Sequence, residues 1–157
     1  MSMEIWVLSD GKLNSVAEWQ AAIDAEGYPL QLSADRAVEE LRGFLPMQLR
    51  GELSGCECYH DPADKLIEAN PKVDFGHAWQ YALGFRWGGN LKEMQAAWMA
   101  ATAYAAATNG VVIDDQELKV RSAEESRREV NDIVESIPRM EEIMRNFKAS
   151  LAQRGKP

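Results

Sequence analysis

Four residues in one short stretch carry side chains that could bind a metal: Cys56, Cys58, His60 and Asp61. On a strand, positions 56, 58 and 60 point to one side, which would bring two thiolates and an imidazole together. Zinc takes four protein ligands in a structural site, or three and a water in a catalytic one. A C-x-C-x-H run on one strand lacks the usual two-ligand turn, and the chain has no cysteine beyond these 2. Alternate small residues facing a core give the same pattern, because free cysteine behaves as a small buried hydrophobe. Core packing is the expected role, and neither a metal nor another cofactor is assigned.

Other chemistry has little to stand on. His60 and His77 are the only 2 histidines, which leaves few places for imidazole acid–base work. Ser9, Ser15, Ser33, Ser54, Ser122 and Ser136 mostly fall at turns or helix starts, and none lies in a G-x-S-x-G elbow. Gly88-Gly89-Asn90 lies between a strand and a helix start, where anions bind well. Neither the Walker pattern nor G-x-G-x-x-G is present, and a tight β-to-α turn needs glycine in any case. Asp114-Asp115-Gln116-Glu117 could take a cation or a basic partner, but it lacks the fixed ligand offsets of a calcium loop. A solvated hairpin tip is the simpler reading.

The element that must position these groups is Trp79 to Gly89, WQYALGFRWGG. Trp79, Tyr81, Leu83, Phe85 and Trp87 alternate with Gln80, Ala82, Gly84 and Arg86, a period-2 pattern that predicts a central strand. Its large face belongs against a core, and its small face lets a helix or a backbone approach closely. Arg86 is the only charge on that small face; it could pair with a carboxylate of a neighbouring strand or mark a groove.

Around it, Glu4–Leu8 reads as a first strand, and Ser15 with Glu18 has capping-box spacing for a helix that Gly27 ends. Residues 28–32 form a second strand, with Pro29 confining it to an edge or a strand start. Ser33 is expected to cap a short helix carrying Ala37, Val38 and Leu41. Residues 44–60 read as two extended segments with a turn at Arg50-Gly51 and a kink at Gly55. Asp61-Pro62 is expected to start a further helix as N-cap and first residue. Asn90 caps an alanine-rich helix over 91–108 that can lie flat and close on a sheet, stopped at Asn109-Gly110. Strands at 111–113 and 118–121 precede a Ser122–Glu125 capping box. A helical apolar stripe then runs from Val130 to Leu151, with Pro138 inside it as a kink or a new start.

These elements predict an α+β protein: an antiparallel or mixed sheet covered by helices, two ferredoxin-like βαβ halves and a long C-terminal helix. Residues 1–152 form a single domain and 153–157 a frayed tail. The length of 157 residues suits one core, and the 46% apolar content with 5 tryptophans is globular. A net charge of −8 argues against a general nucleic-acid binder and permits a partner with a basic surface. No run approaches membrane-spanning length, the N-terminus does not read as a signal peptide, and the sparse cysteines fit a reducing, cytoplasmic setting.

Ala100 to Asp115, AATAYAAATNGVVIDD, resembles the A-x-x-T-x-G-x-hydrophobic-hydrophobic-D ending of compact bacterial α+β proteins. Some of those are immunity partners of polymorphic or type VI toxins. The resemblance carries no catalytic residues with it and implies a small acidic bacterial binding protein. The first functional expectation is a non-enzymatic protein that masks a protein partner with a basic surface, as an immunity protein blocks a toxin domain. The residues expected to meet a partner are Arg86, Asp114, Asp115, Glu117, Met140, Met144 and Phe147. The rival reading is a small ferredoxin-like enzyme or ligand-binding domain with its pocket near Arg86 and the aromatic strand. A third is a structural homodimer joined through the terminal helix, since a long exposed apolar stripe is uncommon on a monomer.

Overall fold

The computed structural model describes residues 3–155. It contains β1 (Met3–Ser9), α1 (Val16–Ala25), β2 (Leu30–Leu32), β3 (Gly43–Leu49), β4 (Glu52–Pro62), α2 (Ala63–Ala69), β5 (Tyr81–Trp87), α3 (Leu91–Thr108), β6 (Val111–Asp114), β7 (Val120–Arg121) and α4 (Ala123–Arg154). The strands form one seven-stranded sheet in the order β2-β3-β4-β5-β1-β6-β7, and every neighbouring pair is antiparallel. The protein is therefore α+β, with a helix-covered antiparallel sheet and a long C-terminal helix.

The two βαβ halves span different widths. Alternating directions make β5 and β6 parallel, and α3 joins them across the single intervening strand β1. By the same count α1 joins the parallel strands β1 and β2, but three strands lie between them, a wider stride than the ferredoxin layout. Pro29 immediately precedes β2, which is an edge strand, so the missing N–H falls where no ladder bond is lost.

Leu83, Phe85 and Trp87 of β5 face the main core with Ile5 and Val7 of β1, beneath α1 and α3. Trp19 of α1 is buried there, its ring edge-on to Phe85 at 5.9 Å and to Tyr104 at 5.4 Å. Its indole N–H donates to the Ala100 carbonyl at 2.9 Å, so the largest core side chain leaves no polar atom unsatisfied. The small face of β5 is also covered. Ala82 packs in a second cluster with Leu8, Ala63, Phe75 and Ile113, and the Tyr59 ring lies where a Gly84 side chain would stand. Trp79 precedes the strand, and its indole is held by the Phe75 carbonyl at 2.9 Å.

Local signals set most boundaries. Ser15 caps α1, Asn90 caps α3 through two backbone N–H groups, and the Ser122–Glu125 capping box is complete. Arg50 and Gly51 both adopt positive φ, as a two-residue hairpin turn requires. Two expected helix starts differ. Ser33 does not cap a helix: its N–H bonds to Pro46, prolonging the β2–β3 ladder, and only a single 3-10 turn forms at Val38–Glu40. The segment is tied to the start of α1 instead, by Val38 N–H to Asn14 and a Ser15–Ala37 bridge. At Asp61-Pro62 the strand wins, because both residues pair with β5 and α2 begins only at Ala63. Pro138 neither ends nor restarts α4, which runs as one helix to Arg154; Lys156 and Pro157 of the expected tail lie outside the described residues.

Gly110 sets how closely α3 returns to the sheet. A β-carbon there would meet the Leu8 carbonyl oxygen at 2.4 Å, and backbone cannot swing aside. Gly110→Ala is expected to cost about 1–3 kcal/mol as an overpacked contact. Urea unfolding measures it, and an unchanged midpoint would show that β1 and α3 are not held this tightly.

Candidate functional site

The most enclosed concavity among those lined by the expected partner residues is a cleft of about 220 Å³. It lies between the start of β1, the β6–β7 turn, the first half of α3 and the middle of α4. Trp87, Trp98, Met94 and Met140 supply apolar walls, and Asp114, Asp115, Glu117, Glu129 and Arg121 supply charge.

Arg121 is the organising group. It ends β7, is 5% exposed and places its guanidinium against the Asp114 carboxylate. Its second terminal nitrogen lies 3.2 Å from Glu117 and 3.9 Å from Glu129, and its plane stands 5.5 Å from the Trp98 ring centroid. The β6–β7 turn is built to make this arrangement. Asp114 Oδ1 accepts the N–H groups of Gln116 at 3.1 Å and Glu117 at 2.6 Å, which frees Oδ2 for Arg121. Asp115 N–H donates to the Glu4 carbonyl at 3.1 Å and ties the turn to β1. Three carboxylates thus surround one guanidinium, Asp115 lines the same cleft beside them, and the side chains of Glu117 and Asp115 are open to solvent. Partial desolvation, then the charges of Glu4 and Asp114, hold the Asp115 carboxyl above its ordinary range against the backbone hydrogen bonds that lower it.

The remaining candidates lie elsewhere. Arg86 projects from the opposite face of the sheet, where it pairs with Glu4; Tyr59 O–H donates to the same carboxylate at 2.8 Å. Met140 stands at the mouth of the cleft, while Met144 and Phe147 continue along α4 beyond it, 40% and 64% exposed. Cys56, Cys58 and His60 do share one side of β4, but only the two thiols meet, and the imidazole is engaged elsewhere. The two sulfurs lie 3.9 Å apart inside the core, and the hydrogen-bonded Cys56 thiol, then burial, pushes Cys58 up. The His60 ring nitrogen is bound to the Val38 carbonyl at 2.8 Å, and burial lowers its pKa. Among the described residues no group of three or more His, Cys, Asp or Glu side chains is placed to hold a metal ion.

The sequence alone marks none of Arg121, Trp98 and Glu129 as a site residue, and it marks Trp87 only as part of the aromatic strand. Arg121 read as one residue of a short returning strand, and nothing local shows that Asp114 and Glu129 reach it. The fold and the cleft define the class, a helix-covered antiparallel α+β protein with an acidic, aromatic-walled cleft. Compared with known proteins, the chain matches no family model, no curated protein and no solved structure.

Two outcomes check the cleft. Arg121→Met strands the buried Asp114 carboxylate and is expected to cost about 3–5 kcal/mol; a loss under 1 kcal/mol, roughly the worth of an exposed pair, would contradict it. For Asp115 folding raises the pKa, so its protonated form is the stabilising one and that contribution is lost as pH rises through the folded value. Asp115→Asn is therefore expected to raise the melting temperature at neutral pH and to leave it unchanged in strong acid. A drop at neutral pH would show that the ionised carboxylate is itself a stabilising contact.

Proposed function

We propose that this is a non-enzymatic cytoplasmic protein that binds and masks a partner with a basic surface. A bacterial toxin domain held by its immunity protein is the form of that reading which the Ala100–Asp115 resemblance implies. The observation that carries it is the cleft's charge: five acidic residues line it against one guanidinium that is already engaged by three of them, at the base of apolar Trp and Met walls. A lysine or arginine of the partner would lay its aliphatic stem along Met140 and Trp87 and place its cation between Asp115, Glu117 and Glu129.

Size favours a side chain over a free small molecule. Ligand pockets usually measure about 300–1,000 Å³, and this cleft offers about 220 Å³. The net charge of −8 supports steered association with a cationic surface and repels nucleic acid. None of the helices among the described residues is long and apolar enough to cross a membrane.

Affinity purification of the tagged protein from its native host tests the reading. The expected result is a stoichiometric basic protein that leaves the column as salt rises, and whose yield falls about tenfold or more with Asp115→Asn/Glu117→Gln. Recovery of no partner, or of one that ignores both salt and the double substitution, would contradict it.

A further inference from the structure

The C-terminal half of α4 is a separate surface. Val130, Ile133 and Ile137 pack against the domain, whereas every described residue from Pro138 onward is exposed. Seventeen helical residues, 138–154, or about 25 Å of helix, thus run past the buried part of the seam. The apolar spacing does not stop where the burial stops. From Val130 the seam steps by three and four residues in turn, through Ile133 and Ile137 to Met140, Met144, Phe147 and Leu151. That is a heptad seam with Ile137, Met144 and Leu151 at a positions and Met140 and Phe147 at d positions. An open groove of about 350 Å³ runs beside it, between Asn90 and Lys92 on one side and Met144 and Lys148 on the other.

We propose that this half-seam pairs with the same segment of a second copy of the chain, antiparallel, to form a two-helix junction between two domains. Three observations select this occupant. In antiparallel order Met140 meets the partner copy's Leu151 and Met144 meets its Phe147, so one alignment fills four layers with complementary sizes. The flanking e positions are Glu141 and Lys148. The same alignment sets each glutamate beside the other copy's lysine, twice. A parallel pair would instead place Glu141 beside Ser136 and Lys148 beside Ile143, with no ion pair. The lengths also agree: the end of the second copy's helix at Arg154 falls opposite Ile137, where the domain's own packing on the seam begins. Met140 alone belongs to both surfaces, lining the cleft and filling the first layer of the junction. The observations behind the pairing are those of the seam itself, so this inference does not rest on the proposed partner.

Sedimentation of the full chain from micromolar to millimolar concentration tests it. Wild-type protein is expected to show a monomer–dimer equilibrium, and Phe147→Glu to weaken it more than about tenfold. Phe147 is 64% exposed, so an unchanged urea midpoint will show that the domain stays folded. Glu141→Lys and Lys148→Glu should each weaken self-association several-fold, while a mixture of the two variants should form heterodimers preferentially. A monomer throughout the range would overturn the proposal, as would a dimer indifferent to Phe147→Glu. A dimer lost with Phe147→Glu but blind to the charge exchange would overturn the antiparallel register. Retained binding of the basic partner by a monomeric Phe147→Glu variant would separate the two surfaces.

Discussion

The structure depends on how closely one helix can lie against the sheet. Gln95 to Ala105 of α3 are buried without interruption, so this helix has no solvent face over three turns. A helix hidden all round must meet neighbours on every side. The sheet lies below it, α1 on one flank and α4 on the other. Alanine makes this feasible, because short side chains let the backbone approach and lose no rotamer freedom on burial. The contacts that remain are few and specific. Trp19 reaches the α3 backbone, and Thr102 meets Ser126 of α4 at 2.5 Å. Arg127 of α4 then grips Glu26 at the end of α1 through two bonds of 2.7 and 2.8 Å.

That arrangement determines where the candidate site forms. With α3 pressed on the sheet, its N-terminal turns bring Met94 and Trp98 beside the end of β5 and the start of β1. The β6–β7 turn closes the same space, and α4 leaves the capping box at Ser122 to form the last wall. Burying Arg121 there is costly unless the guanidinium is fully partnered. Asp114, Glu117, Glu129 and the Trp98 face provide those partners. The excess of acid over base at the rim is the property that a cationic partner would recognise.

Sequence pattern showed the frame of this molecule and missed its centre. The period-2 run of β5, the Ser15, Asn90 and Ser122 caps and the Asn109-Gly110 stop are local signals, and local physics enforces them. Ser33 and Asp61-Pro62 carried equally good local signals for helix starts, and strand pairing overrode both. The acidic turn was visible as a run of carboxylates, but its function as the clamp on Arg121 was not. Asp114 and Glu117 lie near Arg121 in sequence, whereas Glu129 and Trp98 reach it, and Trp87 joins the same cleft, only once the sheet order and the crossing of α4 are fixed. Strand order itself has no local signature, which is why the wide stride from β1 to β2 differs from the ferredoxin spacing.

Hydrogen exchange, read by mass spectrometry on the free protein and on its complex recovered from the native host, addresses the central claim most directly. New protection is expected at residues 3–5, 114–121 and 129–140, the walls of the cleft, with the β3–β4 hairpin unchanged. Protection confined to that hairpin or to the Arg86 face, with the cleft exchanging as in the free protein, would contradict it.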